Sequence, residues 1–335
     1  MIIFFLKKLR KLFKSIGKLE NKIVDELILI DKKNKHNTGK FSIKDNDFKN
    51  LSIQLKRRKN YPKKLAVVVC FYFNPKKIDI LKKTIQKINS YNFKIDLTII
   101  TNQLKIKQKK ILKKLIKNKI KNYSIHETEE MPDTDLLPWY SINVMKKKYH
   151  NKSISHFMFI EDDILVSSKN ICYWVYFRKI LKKFNLSPGF LRYENYKGNF
   201  YAVDYPKKIF LNKCPKIQTI NGNSGFINPR FPYSAMYLMD RELMREYLNS
   251  NAVKFDFSFT NNFLKSKAPI KEQLNISHAF LNVPQGFFNK LMIPFEKDKN
   301  ILDYCLIEHT DIKYANSKKL KSMGFGKIKV KDLIN

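Results

Sequence analysis

An uninterrupted apolar run at residues 65–73, LAVVVCFYF, constrains the fold of this chain more than any other feature. Apolar side chains at every position are typical of a central strand in a parallel sheet, because helices cover both faces of such a strand. Asn74 and Pro75 end the run. Apolar residues then recur at helical spacing, which predicts that a helix follows the strand: Ile78, Leu81, Ile85 and Ile88.

The same alternation continues to residue 160. Strands are predicted at 95–101, 123–126 and 156–160, with helices around residues 111–116 and 139–149. Strands that alternate with helices predict an α/β domain whose sheet is mainly parallel and flanked by helices. Ligands of such sheets bind beyond the carboxyl ends of the strands, so the residues that directly follow the strands are candidates for a site.

Three carboxylates follow the last of these strands, at Glu161, Asp162 and Asp163. We call these three residues the acidic turn. Adjacent carboxylates repel one another unless water or a cation neutralises them. At the end of a buried strand they would form an oxygen-rich site for a divalent metal that bridges to a diphosphate. A solvated acidic turn is the alternative, and the position directly after an apolar strand favours the metal site.

The segment 157–164, FMFIEDDI, resembles the DxD-type element of GT-A glycosyltransferases. Residues 67–74 and the strand end at 99–102 are similar to the nucleotide-binding half of that fold, and the resemblance covers roughly residues 65–330. It implies a GT-A, Rossmann-like fold that transfers a sugar from a nucleotide-sugar donor. The implied acceptor is a cell-surface glycan or a lipid-linked saccharide, and Mn²⁺ or Mg²⁺ would bind the donor diphosphate.

The resemblance also implies roles for the residues at the strand ends. Asp163, the last acid of the motif, would bind the metal, whereas Asp162 or Glu161 would contact the ribose or a metal-bound water. The motif reads EDD where the family has DxD, so more than one of its acids is a candidate ligand. Asn74 and Asn102, which end the first two strands, are the expected nucleotide contacts.

In the second half of the chain, Arg192 and Glu194 alternate with Leu191 and Tyr193 on a predicted strand. The two charged residues therefore share a face. They either line the site, with Arg192 as a donor contact, or form an ion pair on the strand surface.

Two further roles that the family implies fall on later residues. An inverting enzyme of this type needs a carboxylate base to deprotonate the acceptor hydroxyl, and Glu272 and Asp256 are the candidates. Many such enzymes complete the metal site with a histidine near the C-terminus. His309 follows an apolar run and fits that order, although an isolated histidine is more often a core or surface residue.

Residues 1–60 differ from the rest and are predicted to be a basic helical extension with a linker, ahead of a domain at 61–335. Residues 1–18 place apolar side chains on one helical face and lysines on much of the other. No apolar stretch there is long enough to span a bilayer. The pattern predicts either a helix in the interface of an anionic membrane or a helix docked on the domain. The four cysteines are far apart and form no CxxC pair, which argues against a structural zinc site. A reducing cytosol is the simplest compartment. The helix at residues 1–18 would add peripheral binding to the inner face of the cytoplasmic membrane.

The formal net charge of +37 has two interpretations. It suits a polyanionic partner, but lysine is enriched along the whole chain together with asparagine and isoleucine, as in compositional drift. No nucleic-acid-binding motif is present, so a specific nucleic-acid partner is not expected.

Two other classes of protein compete with a glycosyltransferase. A nucleotidyltransferase acting on sugar phosphates would carry a glycine-rich loop after the first strand, where this chain reads FYFNP at 71–75. A non-catalytic basic protein that binds membranes or nucleic acid would explain the charge but not the position of the acidic turn.

Overall fold

The computed structural model describes residues 42–57, 61–117, 120–129, 134–231, 233–254, 270–296 and 299–335. Contacts group Phe41–Asn335 into one compact unit, and Met1–Lys40 forms a separate unit that lies outside the described residues. No helix among the described residues is long and apolar enough to cross a membrane. The amphipathic helix expected at residues 1–18 also lies outside the described residues.

Strands and helices alternate through the first half of the compact unit, and short strands dominate the second half. The strands are β1 (Ser42–Ile43), β2 (Lys64–Cys70), β3 (Lys94–Thr101), β4 (Tyr123–Glu127), β5 (His156–Glu161), β6 (Ile164–Leu165), β7 (Ser187–Pro188), β8 (Leu191–Tyr196), β9 (Asn199–Ala202), β10 (Lys216–Thr219), β11 (Gly225–Ile227), β12 (Met236–Asp240), β13 (Leu291–Phe295) and β14 (Leu306–His309). The helices are α1 (Asp45–Arg57), α2 (Ile78–Asn89), α3 (Ile106–Lys117), α4 (Ser141–His150), α5 (Ser168–Leu181), α6 (Arg241–Leu248), α7 (Ile270–Ser277) and α8 (Lys318–Ser322).

The central sheet has the strand order β4-β3-β2-β5-β12, with β12 antiparallel to β5 and the other neighbours parallel. The predicted α/β fold with a mainly parallel sheet is therefore confirmed. Chain order reverses between β2 and β5, which makes their carboxyl ends the expected ligand crevice of the sheet. The residues from Leu65 to Cys70 are all buried, and each large apolar side chain among them contributes about 1.5–3 kcal/mol to folding.

The helices beside this sheet follow the predicted periodicity. Helix α2 buries Leu81, Ile85 and Ile88, as expected, and α3 buries Leu112 and Ile116. Helix α5 begins with a capping box in which Ser167 and Asn170 bond each other's backbone amides. These helices hold the strand ends that carry the acidic turn.

Two further sheets are built mainly from the second half of the chain, with β1 added to one of them, and the sequence did not predict them. One, the second sheet, has the order β1-β10-β11-β13-β7, and the other, the small sheet, has the order β6-β14-β8-β9. In the small sheet β14 lies between β6, to which it is antiparallel, and β8, to which it is parallel. Because β6 begins directly after the acidic turn, the small sheet brings the C-terminal part of the chain to that turn.

The structure places residues 42–57 within the compact unit, whereas the sequence assigned them to a linker ahead of residue 61. Strand β1 pairs with β10, and the Phe48 ring of α1 packs 5.1 Å from Phe177 and 5.4 Å from Phe226. Aromatic contacts of this kind stabilise a core, and they join α1 to the domain.

Candidate active site

The acidic turn connects β5 to β6 at the edge of the central sheet where the chain order reverses. Its backbone is held from two sides. The Thr84 hydroxyl of α2 donates to the carbonyl oxygen of Asp162 at 2.6 Å, and the backbone amide of Thr310 donates to that of Asp163 at 2.9 Å. The turn is therefore fixed both by the first half of the domain and by the chain that follows β14.

His309 lies between two carboxylates. Its Nε2 is 3.3 Å from Oδ2 of Asp163, and its Nδ1 is 2.8 Å from Oε1 of Glu194, with all three side chains buried. The strand register explains why His309 lies beside both Asp163 and Glu194. His309 pairs with Ile164 on β6, and Glu308 pairs with Tyr193 on β8. The structure thus brings His309 to Asp163, and it adds Glu194 as a partner that the sequence did not connect with either residue.

Glu194 accepts three backbone N–H groups as well as the imidazole. The amides of Lys313 and Tyr314 reach Oε1 at 3.2 and 3.1 Å, and the amide of Ala315 reaches Oε2 at 2.6 Å. Burial works to raise the pKa of Glu194, but the hydrogen bonds from His309, Ala315 and Tyr314 hold that pKa below its ordinary value. An ionised Glu194 only accepts hydrogen bonds, so His309 donates from Nδ1. The lone pair or second proton of His309 is then on Nε2, facing Asp163.

Three buried polar atoms at this point have no hydrogen-bond partner among the described residues: Oδ2 of Asp162, Oδ1 of Asp163 and Nε2 of His309. The 3.3 Å approach of Nε2 to Asp163 is a close contact without hydrogen-bond alignment. Unpaired buried polar atoms each cost about 1–3 kcal/mol, so their concentration at one place suggests a site built for a ligand.

The protonation of these residues follows from their surroundings. Burial, followed by the charge of Asp163, raises the pKa of Asp162 to about 7. Burial opposes ionisation of Asp163 too, but the contact with His309 keeps the pKa of Asp163 below its ordinary value. Burial disfavours a charged His309, whereas Asp163 and Glu194 together raise its pKa. A proton or a metal cation between Asp163 and His309 therefore satisfies both side chains.

A divalent metal fits these donor atoms, since carboxylate oxygen and neutral imidazole are both ligands of Mn²⁺, while Mg²⁺ prefers oxygen. Among the described residues no group of three or more His, Cys, Asp or Glu side chains is arranged to hold a metal. Asp163 and His309 would thus be two protein ligands, and a bound metal would need further oxygens from a ligand or water.

Other side chains that the sequence did not single out surround the turn. Glu161 accepts the hydroxyl of Tyr233 at 3.2 Å and Nδ2 of Asn275 at 3.0 Å. Lys77 is half-buried; burial opposes its charge, but Asp162 and Asp163 raise its pKa above the ordinary value. These residues come from elements distant in sequence, and no local motif marks them.

The two asparagines at the strand ends lie on the expected edge of the sheet. Asn102 accepts the backbone amide of Phe73 at 2.7 Å, which ties the end of β3 to the end of β2. Asn74 is exposed and accepts the amide of Lys76 at 3.0 Å, at the start of a short 3-10 helix at Pro75–Lys77. Their contact with a nucleotide stays a prediction.

Arg192 and Glu194 share a face, but they form neither a surface ion pair nor a pair with each other. Arg192 is 3% exposed and bonds Asp204 twice, from Nε at 3.1 Å and from Nη2 at 2.5 Å. Its guanidinium also lies 5.0 Å from the Tyr233 ring and 5.5 Å from the Tyr314 ring. The structure therefore gives Arg192 a buried, charged partner, Asp204, and the contact of Arg192 with a donor stays a prediction.

The two candidate bases are not placed by the structure. Glu272 falls on α7, as a helical residue, but its side chain is outside the described part of the chain. Asp256 lies wholly outside the described residues. Both assignments stay predictions.

Comparisons with known proteins give a limited result. No protein family matches the chain, and no curated protein matches it. The structure is similar to the crystal structure of S. aureus TarS, a glycosyltransferase, with 12% sequence identity and a TM-score of 0.40. The match covers 74% of this chain and 36% of that chain, so this chain spans about a third of the length of the solved one. A likeness of this size does not show what this chain does.

Proposed function

We propose that this protein is a metal-dependent glycosyltransferase of the GT-A type. It would move a sugar from a nucleotide-sugar donor to a glycan or a lipid-linked acceptor. The observation that carries the proposal is the group of unpaired buried atoms on Asp162, Asp163 and His309, beside the point where strand order reverses between β2 and β5. Sheets of this topology bind nucleotides at that point.

The residues at the turn have distinct roles in this proposal. Asp163 and His309 would hold Mn²⁺ or Mg²⁺, which would neutralise charge on the leaving nucleoside diphosphate. Glu194 accepts a hydrogen bond from Nδ1–H of His309 and so keeps Nε2 available as a ligand. Its own bonds to the backbone of Tyr314 and Ala315 fix the direction of that contact.

Lys77 supplies positive charge beside the acidic turn. It ends the 3-10 helix at Pro75–Lys77 that comes after β2. Burial opposes its charge, but the carboxylates of the turn raise its pKa above the ordinary value. A charged ammonium there attracts a diphosphate. Asn74 and Asn102 would contact the nucleoside on the same edge, with Glu161 or Asp162 at the ribose.

The donor site is tested by calorimetry with UDP, GDP and CMP, each with Mn²⁺ or with EDTA. Asp163→Asn and His309→Gln should each weaken Mn²⁺-dependent binding of the best nucleotide by roughly tenfold or more, a loss of about 1.4 kcal/mol. Glu242→Gln, at an exposed carboxylate on α6, is the matched control and should bind as the parent does. Unchanged metal-dependent affinity in a well-folded Asp163→Asn protein would contradict the assignment.

Glu272 and Asp256 are the proposed alternatives for the base that deprotonates the acceptor hydroxyl. Replacing the true base by its amide should lower the transfer rate by a factor of about 10²–10⁴ and leave nucleotide affinity unchanged. Loss of nucleotide affinity in both variants would assign them to the donor site instead.

We also propose that residues 1–18 bind the inner face of the cytoplasmic membrane, through one apolar face and several lysines together. The full chain should co-sediment with vesicles of phosphatidylglycerol at low salt and not with vesicles of phosphatidylcholine alone. A protein that begins at residue 41 should lose this binding. Equal sedimentation of both proteins would assign membrane binding to the domain.

A further inference from the structure

A groove of about 1120 Å³ lies apart from the acidic turn. Its walls are α1, the start of α5, the hairpin of β8 and β9, residues 300–304, and residues 329–331. Ligand pockets for drug-sized molecules span about 300–1,000 Å³, so this groove has room for an extended molecule.

The groove and the candidate active site are on opposite faces of the small sheet. Glu308 and Tyr193 line the groove, whereas the residues that alternate with them, His309 and Glu194, face the acidic turn. Successive side chains of a strand point to opposite faces, so the sheet itself separates the two places. The groove is therefore a separate surface from the proposed donor site.

One wall of the groove is aromatic. The rings of Tyr193 and Phe200 pack with centroids 4.7 Å apart, and Phe200 is 45% exposed on the groove side of the hairpin. Tyr304 adds a third, half-buried ring. Exposed aromatic rings offer a flat apolar surface, which suits the C–H face of a sugar ring.

The remaining walls carry charges of both signs. The acidic members are Glu296, Asp303 and Glu308, and none of them forms an ion pair or a side-chain hydrogen bond with another described residue. The basic members are Lys49, Lys87, Lys169, Lys329 and Lys331. Free carboxylates accept hydrogen bonds from hydroxyl groups, and ammonium groups attract carboxylate or phosphate substituents.

We propose that this groove is a second binding site, for an oligosaccharide that carries anionic substituents. The three kinds of wall suit the three parts of such a ligand: aromatic rings for the sugar faces, carboxylates for the hydroxyls, and lysines for the substituents. A bare polyphosphate is a poorer fit, because the three carboxylates would repel it.

The proposal is tested by calorimetry with hexagalacturonate and a hyaluronan hexasaccharide as anionic probes. Maltohexaose is the neutral probe and inorganic triphosphate the bare polyanion. At least one anionic saccharide should bind more tightly than maltohexaose. Phe200→Ala and Glu308→Gln should each weaken its binding by roughly fivefold, as expected for loss of a ring contact or a hydrogen bond.

Phe210→Ala removes a ring of similar exposure, 40%, outside the groove and should leave saccharide binding unchanged. Thermal unfolding of each variant should match the parent. Glu308→Gln should strengthen triphosphate binding, since it removes a repelling charge. A nucleoside diphosphate with Mn²⁺ should not compete with the saccharide.

Three results would overturn the proposal. One is the absence of binding by both anionic saccharides at millimolar concentration. Another is binding that Phe200→Ala and Glu308→Gln leave unchanged, which would indicate nonspecific attraction to the lysines. The last is competition by the nucleotide, which would place the saccharide at the acidic turn.

Discussion

Nδ1 of His309 donates a hydrogen bond of 2.8 Å to Oε1 of Glu194, across 115 positions of the chain. The bond joins β14 to β8 inside the small sheet, where both side chains are fully buried. It also sets which nitrogen of His309 faces Asp163. This one contact therefore links the stability of the C-terminal segment to the geometry of the candidate metal site.

Replacing Glu194 by glutamine should lower the free energy of unfolding by about 2–4 kcal/mol, because an amide accepts fewer of the four bonds and its NH₂ faces other donors. Urea unfolding measures the change. Glu308→Gln, on the adjoining strand and the opposite face, should shift stability by less than about 0.5 kcal/mol. Similar losses of stability in both variants would show that Glu194 does not anchor the C-terminal segment.

Asp204→Asn should destabilise the domain by about 3–5 kcal/mol, since it leaves the guanidinium of Arg192 buried without a charged partner. Arg192→Lys should also be destabilising, because lysine cannot make the two parallel bonds. The comparison is Lys182→Gln, which breaks an exposed ion pair with Glu242 and should cost less than about 1 kcal/mol. If the Asp204→Asn protein is as stable as the parent, the buried ion pair of Arg192 and Asp204 contributes little to the stability of the domain.

Two half-buried histidines should make the fold sensitive to acid. Burial, with Lys290 adding to it, lowers the pKa of His278 to about 3, and burial lowers the pKa of His156 to about 4. The unfolded chain takes up these protons near pH 6.5 and the folded chain does not. Stability is therefore complete above pH 6.5 and falls as the pH drops toward 4.

The test is His278→Gln, which is expected to be less stable at pH 7 but to lose stability less steeply below pH 6.5. One titrating histidine accounts for a slope of about 1.4 kcal/mol per pH unit in this range. Urea unfolding at several pH values between 7 and 5 measures both slopes. Parallel curves for the parent and the variant would contradict the assignment of His278 as a histidine that stays neutral in the folded state.

Gly326→Ala should be strongly destabilising, by about 2–4 kcal/mol, for two reasons that add. Its φ is +62°, and a Cβ there would lie 2.6 Å from the carbonyl carbon of Tyr314. Gly198 has a φ of +73° with open space around it, so Gly198→Ala tests the backbone strain alone and should cost about 1 kcal/mol. Thermal unfolding compares the two variants. Equal destabilisation by the two variants would show that the backbone at Tyr314 shifts easily to make room for the added Cβ.

The first half of the fold was predictable because its signals are local. The apolar run that became β2 and the helical spacing of Leu81, Ile85 and Ile88 specify a strand and a helix from neighbouring residues alone. The same argument placed the acidic turn at the end of β5, since the strand before it is apolar at every buried position.

The second half was less predictable, because its strands are short and take their stability from pairing partners. Strand β14 has four residues, and only its pairing with both β6 and β8 shows which side chains share a face. The sequence suggested His309 as a partner of Asp163 from their order along the chain, but not Glu194 as the residue that orients it. It also did not identify Asp204 as the buried partner of Arg192.

Local sequence patterns specify the α/β class, the parallel strands of the central sheet, and the position of three carboxylates at a strand end. Strand pairing in the folded domain specifies which side chains contact those carboxylates and which atoms among them lack partners. The two kinds of information differ in their range along the chain. Periodicity and capping act between residues a few positions apart, whereas Asp163, Glu194 and His309 are brought together by strand pairing between distant segments.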